Sequence, residues 1–144
     1  MEELTLQAKI VLANHFAFYL KAQNFHWNVE GPDFLEYHEL FAKVYEEVYG
    51  QVDRLAEEIR AMDAYAPGSL MRLAQLSQIS DENAVLNARE MAQRLLSDID
   101  IMQRSIMEAY HLAEGAMNHG YSNFMAERQD AFAKHAWMLR STLK

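Results

Sequence analysis

Apolar residues recur at steps of three and four along four long segments of this chain, the periodicity of helices that bury one face. The first stripe reads Leu4, Ala8, Val11, His15, Tyr19, Ala22 and His26, and predicts a helix over about residues 3–29. The second, Phe41, Tyr45, Val48, Val52, Leu55, Ile59 and Met62, predicts one unbroken helix over about residues 34–62. Beside it runs a strip of Ala42, Tyr49, Asp53, Ala56 and Glu57, whose small and aromatic members point to a second buried surface. A third stripe, Ala92, Leu95, Ile99, Met102, Ile106, Ala109 and Ala113, predicts a helix ending near Met117, and a fourth helix is expected over about residues 122–142.

The breaks between these stripes set the topology. Gly31-Pro32 ends the first helix, and Asp33 with Glu36 three residues on predicts a capping box for the second. Ala66-Pro67-Gly68-Ser69 is a loop signal, followed by a short helix within residues 70–79. Ser80 with Asp81 and Glu82 reads as the start of the third helix, and Gly120 as the break before the fourth. Two short turns and one long middle connection predict an all-α fold: a four-helix bundle with a long crossover, the arrangement of ferritin-like folds.

Composition narrows the class. With 144 residues the chain reads as a single domain over residues 1–144 with a sizeable core. Hydrophobic residues make up 51%, with 5 glycines and 2 prolines, which argues against disorder. The absence of cysteine excludes disulfides, zinc fingers and cysteine-ligated iron–sulfur clusters. The opening Met-Glu-Glu-Leu-Thr has no signal-peptide character, and no apolar run is long enough to span a bilayer, so the expectation is a soluble cytoplasmic protein. A net charge of −8 argues against binding nucleic acid through its phosphates and suits a protein that gathers cations.

Four residues carry the candidate chemistry. His26 and His38 lie six residues to either side of Pro32, so a helical hairpin there sets them across a gap of about 8–10 Å. Asp53 and Glu57 are an i,i+4 pair, with side-chain roots about 6 Å apart. Taken alone, the acids read as a solvated strip and each histidine as an ordinary half-buried side chain. Together, imidazole nitrogen and carboxylate oxygen form a donor set that suits iron. On an unbroken second helix His38 and Asp53 would stand roughly 22 Å apart, beyond the reach of one ion. A site made of all four must therefore be completed by a second copy of the chain.

The series His26-Trp27-Asn28-Val29, Gly31-Pro32-Asp33-Phe34, His38, Phe41, Tyr45, Asp53 and Ala56-Glu57 resembles the signature of the Dps-type mini-ferritins in identity and spacing. The likeness continues through the loop at residues 66–69 to Ala136-Trp137-Met138-Leu139-Arg140, essentially the whole chain. The resemblance implies a hollow shell of twelve subunits with ferroxidase centres at two-fold interfaces. His26 and His38 would face the partner subunit's Asp53 and the partner subunit's Glu57. Ferrous iron would be oxidised there by hydrogen peroxide or dioxygen and stored inside as ferric oxide, which protects against oxidative damage.

Three departures from that family bear on the expectation. Many relatives carry an acid four residues after the second histidine, where this chain has Ala42, which leaves a second metal position to water or Glu46. The acids expected along a three-fold iron pore align with Asn118, Asn123 and Glu127, of which only Glu127 is charged; the asparagines also read as cap or turn residues. A lysine-rich DNA-binding tail is missing from the expected start of the first helix, so DNA is not an expected partner. The competing reading is a non-enzymatic shell with a weakened metal centre, acting in DNA protection or as a structural element. A weaker one is a di-iron centre inside one bundle, built around the Glu-x-x-His element of Glu108 and His111. His15, His119 and His135 read as core or helix-end residues, and Trp27 as a packing residue beside His26.

Overall fold

In the computed structural model, which describes residues 2–144, the predicted stripes bury against one another as an all-helical bundle with no strand among the described residues. The long helices are α1 (Glu2–Asn28), the bent pair α2 (Phe34–Tyr49) and α3 (Val52–Ala61), α5 (Ala88–Gly115) and α6 (His119–Thr142). Helix α1 packs on α2, α3 and α5, and α5 packs on α6. Every residue of the predicted third stripe is buried, joined in one continuous core by Phe18, Phe25, Phe41, Phe124 and Phe132. The short helix in the crossover is α4 (Leu70–Leu76), started by the Ser69 hydroxyl, which accepts from the Arg72 amide.

The long second helix is not unbroken. Its ladder tightens at Gly50-Gln51, where the Gln51 amide donates to Val48 O at 3.1 Å, three residues back, before Leu55 resumes the four-residue step onto Gln51 O. His38 and Asp53 thus stand on two arms of a bent helix. The strip of Tyr49, Asp53 and Glu57 beside the bend is exposed in this chain rather than buried. The start of α2 also differs from expectation. Asp33 has a left-handed backbone, φ 63° and ψ 27°, and its side chain makes no capping hydrogen bond, so no capping box forms there.

The third and fourth helices begin elsewhere than their sequence signals. Residues 77–87 stay extended, and α5 starts at Asn87, whose side chain and that of Glu90 form a reciprocal capping box. What holds this segment out of the helix is a line of polar residues on α1. Asn14 exchanges two hydrogen bonds with Gln78, donating to its Oε1 at 2.9 Å and accepting from its amide at 2.7 Å. Lys21 donates to Ser80 O at 2.9 Å and pairs with Asp98 of α5 at 2.8 Å, while Asn24 reaches Glu82 O. These spacings match one face of a helix to alternate residues of an extended strap. Gly120 lies inside α6; the real break is Ala116–Asn118, where Met117 takes a left-handed φ of 58° and the Asn118 side chain caps α6 at the Tyr121 amide.

Candidate metal centre

The hairpin at Gly31-Pro32 brings His26 and His38 into face-to-face contact, with ring centroids 3.7 Å apart and planes 17° from parallel. Each Nδ1 lies 2.7 Å from the backbone carbonyl of the other histidine. A carbonyl only accepts, so both Nδ1 atoms carry the proton and donate. In the neutral rings this fixes the tautomer and leaves both Nε2 atoms with a free lone pair. It is the second-shell device that orients imidazole toward a metal. Both rings are half-buried, with Phe34 stacked on His38 at 5.0 Å and Tyr45 tilted against His26 at 5.3 Å.

Asp53 and Glu57 share the exposed face of α3 and enter no ion pair among the described residues. Nearby cations are engaged elsewhere. Arg54 pairs with Glu58 and Glu127 and lies over the Phe124 ring. The structure joins the two histidines and keeps the two acids apart from them. Among the described residues, no three His, Asp or Glu side chains converge to hold an ion within one chain. The donor set nonetheless fits iron in its chemistry: two oriented imidazole nitrogens on one surface, two unpaired carboxylates on another.

Other predicted residues fall outside this centre. Ala42 adds no oxygen donor, and Trp27 is exposed. Glu108 and His111 are both on the outer surface of α5, so the bundle interior is not their site. Asn118 serves as the cap of α6, Asn123 is exposed, and the Glu127 carboxylate is tied to Arg54 at 3.1 Å. His119 donates through Nδ1 to Glu114 at 2.7 Å; that contact, with a hydrogen bond from Ser122, holds the Glu114 carboxyl below its usual range.

The bundle interior holds a cluster that the sequence did not disclose. Arg128 donates to both Glu47 oxygens, at 2.6 and 3.0 Å, and through Nε to His15 Nε2 at 3.1 Å. His135 reaches the same Glu47 carboxylate at 2.8 Å. His15 donates from Nδ1 to Val11 O and accepts from Arg128 at Nε2, so it is neutral; burial first, and the Arg128 charge second, push its pKa down to about 3. Burial raises the Glu47 pKa, but hydrogen bonds from His135 and Arg128 outweigh it and bring it to about 2. The Arg128 guanidinium sits at the middle of this histidine–carboxylate set and engages both Glu47 oxygens and the His15 Nε2. The signal available in sequence was only that Glu47, Arg128 and His135 fall on helix faces that turn inward.

A ferritin-like domain family model matches residues 8–144 of this chain. A DNA protection during starvation protein from Brevibacillus brevis is 29% identical over 133 residues, covering 92% of this chain and 89% of that protein. The crystal structure of Dps from Staphylococcus aureus matches with a TM-score of 0.95 at 28% identity, over 100% of this chain and 97% of that one. A DPS protein from Vibrio cholerae O1, described as a member of a broad superfamily of ferritin-like diiron-carboxylate proteins, matches at 0.94 and 27% identity, over 99% and 90%. The chain belongs to the ferritin-like family. Within that family it is a Dps-type mini-ferritin.

Proposed function

We propose that this protein takes up ferrous iron as substrate, oxidises it with hydrogen peroxide or dioxygen, and stores the ferric product in a hollow homo-oligomeric shell, a dodecamer. The centre would be shared: His26 and His38 of one subunit with the partner subunit's Asp53 and the partner subunit's Glu57. The observation that carries this reading is the reciprocal hydrogen bonding of the histidine pair, which leaves two Nε2 lone pairs directed by the backbone itself. Imidazole holds the ferrous ion, and hard carboxylate oxygens favour the ferric product. Peroxide takes one electron from each of two ferrous ions and two protons from solvent, and leaves as two waters. Support for a second copy comes from the surface: Trp27, Leu35, Tyr49 and Trp137 are each more than half exposed, and Asp53 and Glu57 enter no ion pair among the described residues.

Complementation tests the shared centre. Subunits carrying His26→Ala and His38→Ala are co-assembled with subunits carrying Asp53→Ala and Glu57→Ala, and ferrous oxidation is followed by ferric absorbance. Each pure variant is expected to be inactive. Every mixed two-fold interface pairs intact histidines with intact acids at one of its two centres, so the mixture regains activity. Inactive mixed shells of normal size would refute a shared site.

A second reading is a shell that acts in DNA protection, as the names of several relatives state of those proteins. Ala42 beside the centre and the Arg54–Glu127 pair, which neutralises the one acid expected along an iron pore, favour it. The charge of −8 per chain opposes it.

A further inference from the structure

The corner between α5 and α6 carries a carboxylate with more donors than a helix turn requires. Glu114, in the last turn of α5, accepts from His119 Nδ1 at 2.7 Å and from the Ser122 hydroxyl at 3.1 Å. The Tyr110 hydroxyl donates to its other oxygen at 3.4 Å. Among the described residues no lysine or arginine pairs with it. A carboxylate only accepts, so the proton between the two lies on His119 Nδ1. In the neutral ring Nε2 then keeps its lone pair, on a side chain 63% exposed. An imidazole held in this way by a carboxylate has its tautomer and direction set before any ligand arrives.

Two residues before His119 stands Met117, the left-handed residue of the break, with φ 58° and 77% exposed. Glycine or asparagine commonly fills such a position, because a Cβ there is strained. Exposed methionines also occur incidentally, and the Glu114 network by itself would staple the corner. Neither reading covers both observations. A staple makes no use of the outward Nε2, and a strained residue left in solvent gains no packing in return. With only Asn118 between them, the Cα atoms of Met117 and His119 are within about 7 Å of each other. The rotatable bonds of methionine let its thioether close on the imidazole across that gap.

We propose that Met117 Sδ and His119 Nε2 together bind a cuprous ion at the α5–α6 corner. Thioether is a soft ligand that selects Cu(I), and imidazole suits copper as well, whereas harder cations prefer carboxylate, carbonyl and water oxygens. A cuprous ion needs few ligands and imposes no geometry of its own, so two donors and a solvent ligand suffice. Glu114 acts as a positioning residue. It fixes the ring, and its charge balances both the ion and the positive end of α6, where His119 is the first residue. This corner shares no residue with the His26/His38 hairpin, so the inference does not depend on the ferroxidase reading.

The test loads anaerobic full-length protein with cuprous ion, below one equivalent per chain. Affinity is read by competition with bathocuproine disulfonate, a coloured cuprous chelator, and the ligands by X-ray absorption at the copper edge. The native protein is expected to withhold copper from the chelator and to show a sulfur scatterer beside nitrogen. Met117→Leu keeps the size of the side chain and the same strained backbone. It should lose the sulfur scatterer and hold copper many-fold more weakly. His119→Ala should weaken it as much. Glu114→Gln should keep the sulfur scatterer and weaken binding several-fold, since an acceptor remains for Nδ1 but the charge does not. Met71→Leu, at another exposed methionine on α4, serves as the control and should behave as native. A native spectrum without sulfur, a sulfur scatterer that survives in Met117→Leu, or one that disappears in Met71→Leu overturns the site. Unchanged affinity in Glu114→Gln overturns the part given to the carboxylate. None of these variants touches the histidine pair or the acids of α3, so every outcome leaves the ferroxidase reading where it stands.

Discussion

His15 sits at the centre of the bundle with no exposed surface, between the Val11 carbonyl and the Arg128 guanidinium. Burial strips water from the charged form, and protonation would also place a second cation against Arg128, so its pKa falls to about 3 from 6.5. In the unfolded chain it titrates normally. Between pH 6.5 and 3 the unfolded state therefore binds a proton that the folded state refuses, and stability falls with pH at a slope approaching about 1.4 kcal/mol per unit. Glu47 acts in the same direction lower down. Its ordinary value is 4.5 and its folded value about 2, so the stability it contributes above 4.5 is lost as pH falls toward 2. Melting midpoints should decline from just below neutrality and more steeply in the second window. A midpoint that stays level from about pH 7 to about pH 5 would contradict a neutral buried His15. At this scale the sequence marked His15 as a core residue but could not supply Arg128, more than a hundred residues away in the chain.

The ends of helices show where local rules hold and where they fail. Helices α3 and α5 both close with a Schellman motif. Ala64 N–H donates to Ile59 O and Asp63 N–H to Arg60 O; Asn118 N–H donates to Ala113 O and Met117 N–H to Glu114 O. The left-handed residue in each is Asp63 or Met117, not glycine. Gly120, the glycine nearest the second break, lies three residues beyond the left-handed Met117. The left-handed backbone of a residue with a Cβ costs about 1–2 kcal/mol, against about 0.4–1 kcal/mol of added unfolded-state entropy for glycine. Met117→Gly should thus stabilise the protein by roughly 0.5–1 kcal/mol, read as a higher urea midpoint with an unchanged slope. A lowered midpoint would mean that the exposed Met117 side chain is covered in the assembly. Ser69 and Asn118 became caps because their side chains reach the amide three residues on, whereas Asp33 spends its backbone on the turn and caps nothing.

For the whole molecule, charge decides which partners are open to it. Each chain carries −8, and a shell multiplies that charge without a compensating basic patch from other copies. Duplex DNA should not be retarded by the assembled protein at physiological salt in a mobility-shift assay. Retardation there, abolished by raising the salt further, would establish the DNA-protection reading instead. No helix among the described residues is long and apolar enough to cross a membrane.

By itself the sequence determined the helices, their inward stripes and the symmetric placement of His26 and His38 about Pro32. These depend on neighbours three, four or a few residues apart, which a chain displays directly. Tertiary structure alone decided the bend at Gly50-Gln51, the strap held by Asn14 and Lys21, and the Arg128–Glu47–His15 cluster. It also decided which nitrogen of each candidate ligand is free, because the carbonyls of His26 and His38 meet the opposite rings only once the hairpin has closed. Hydrogen bonds between distant segments depend on where each helix lies against the next. That position is set by packing of the whole core, and no single stretch of sequence records it.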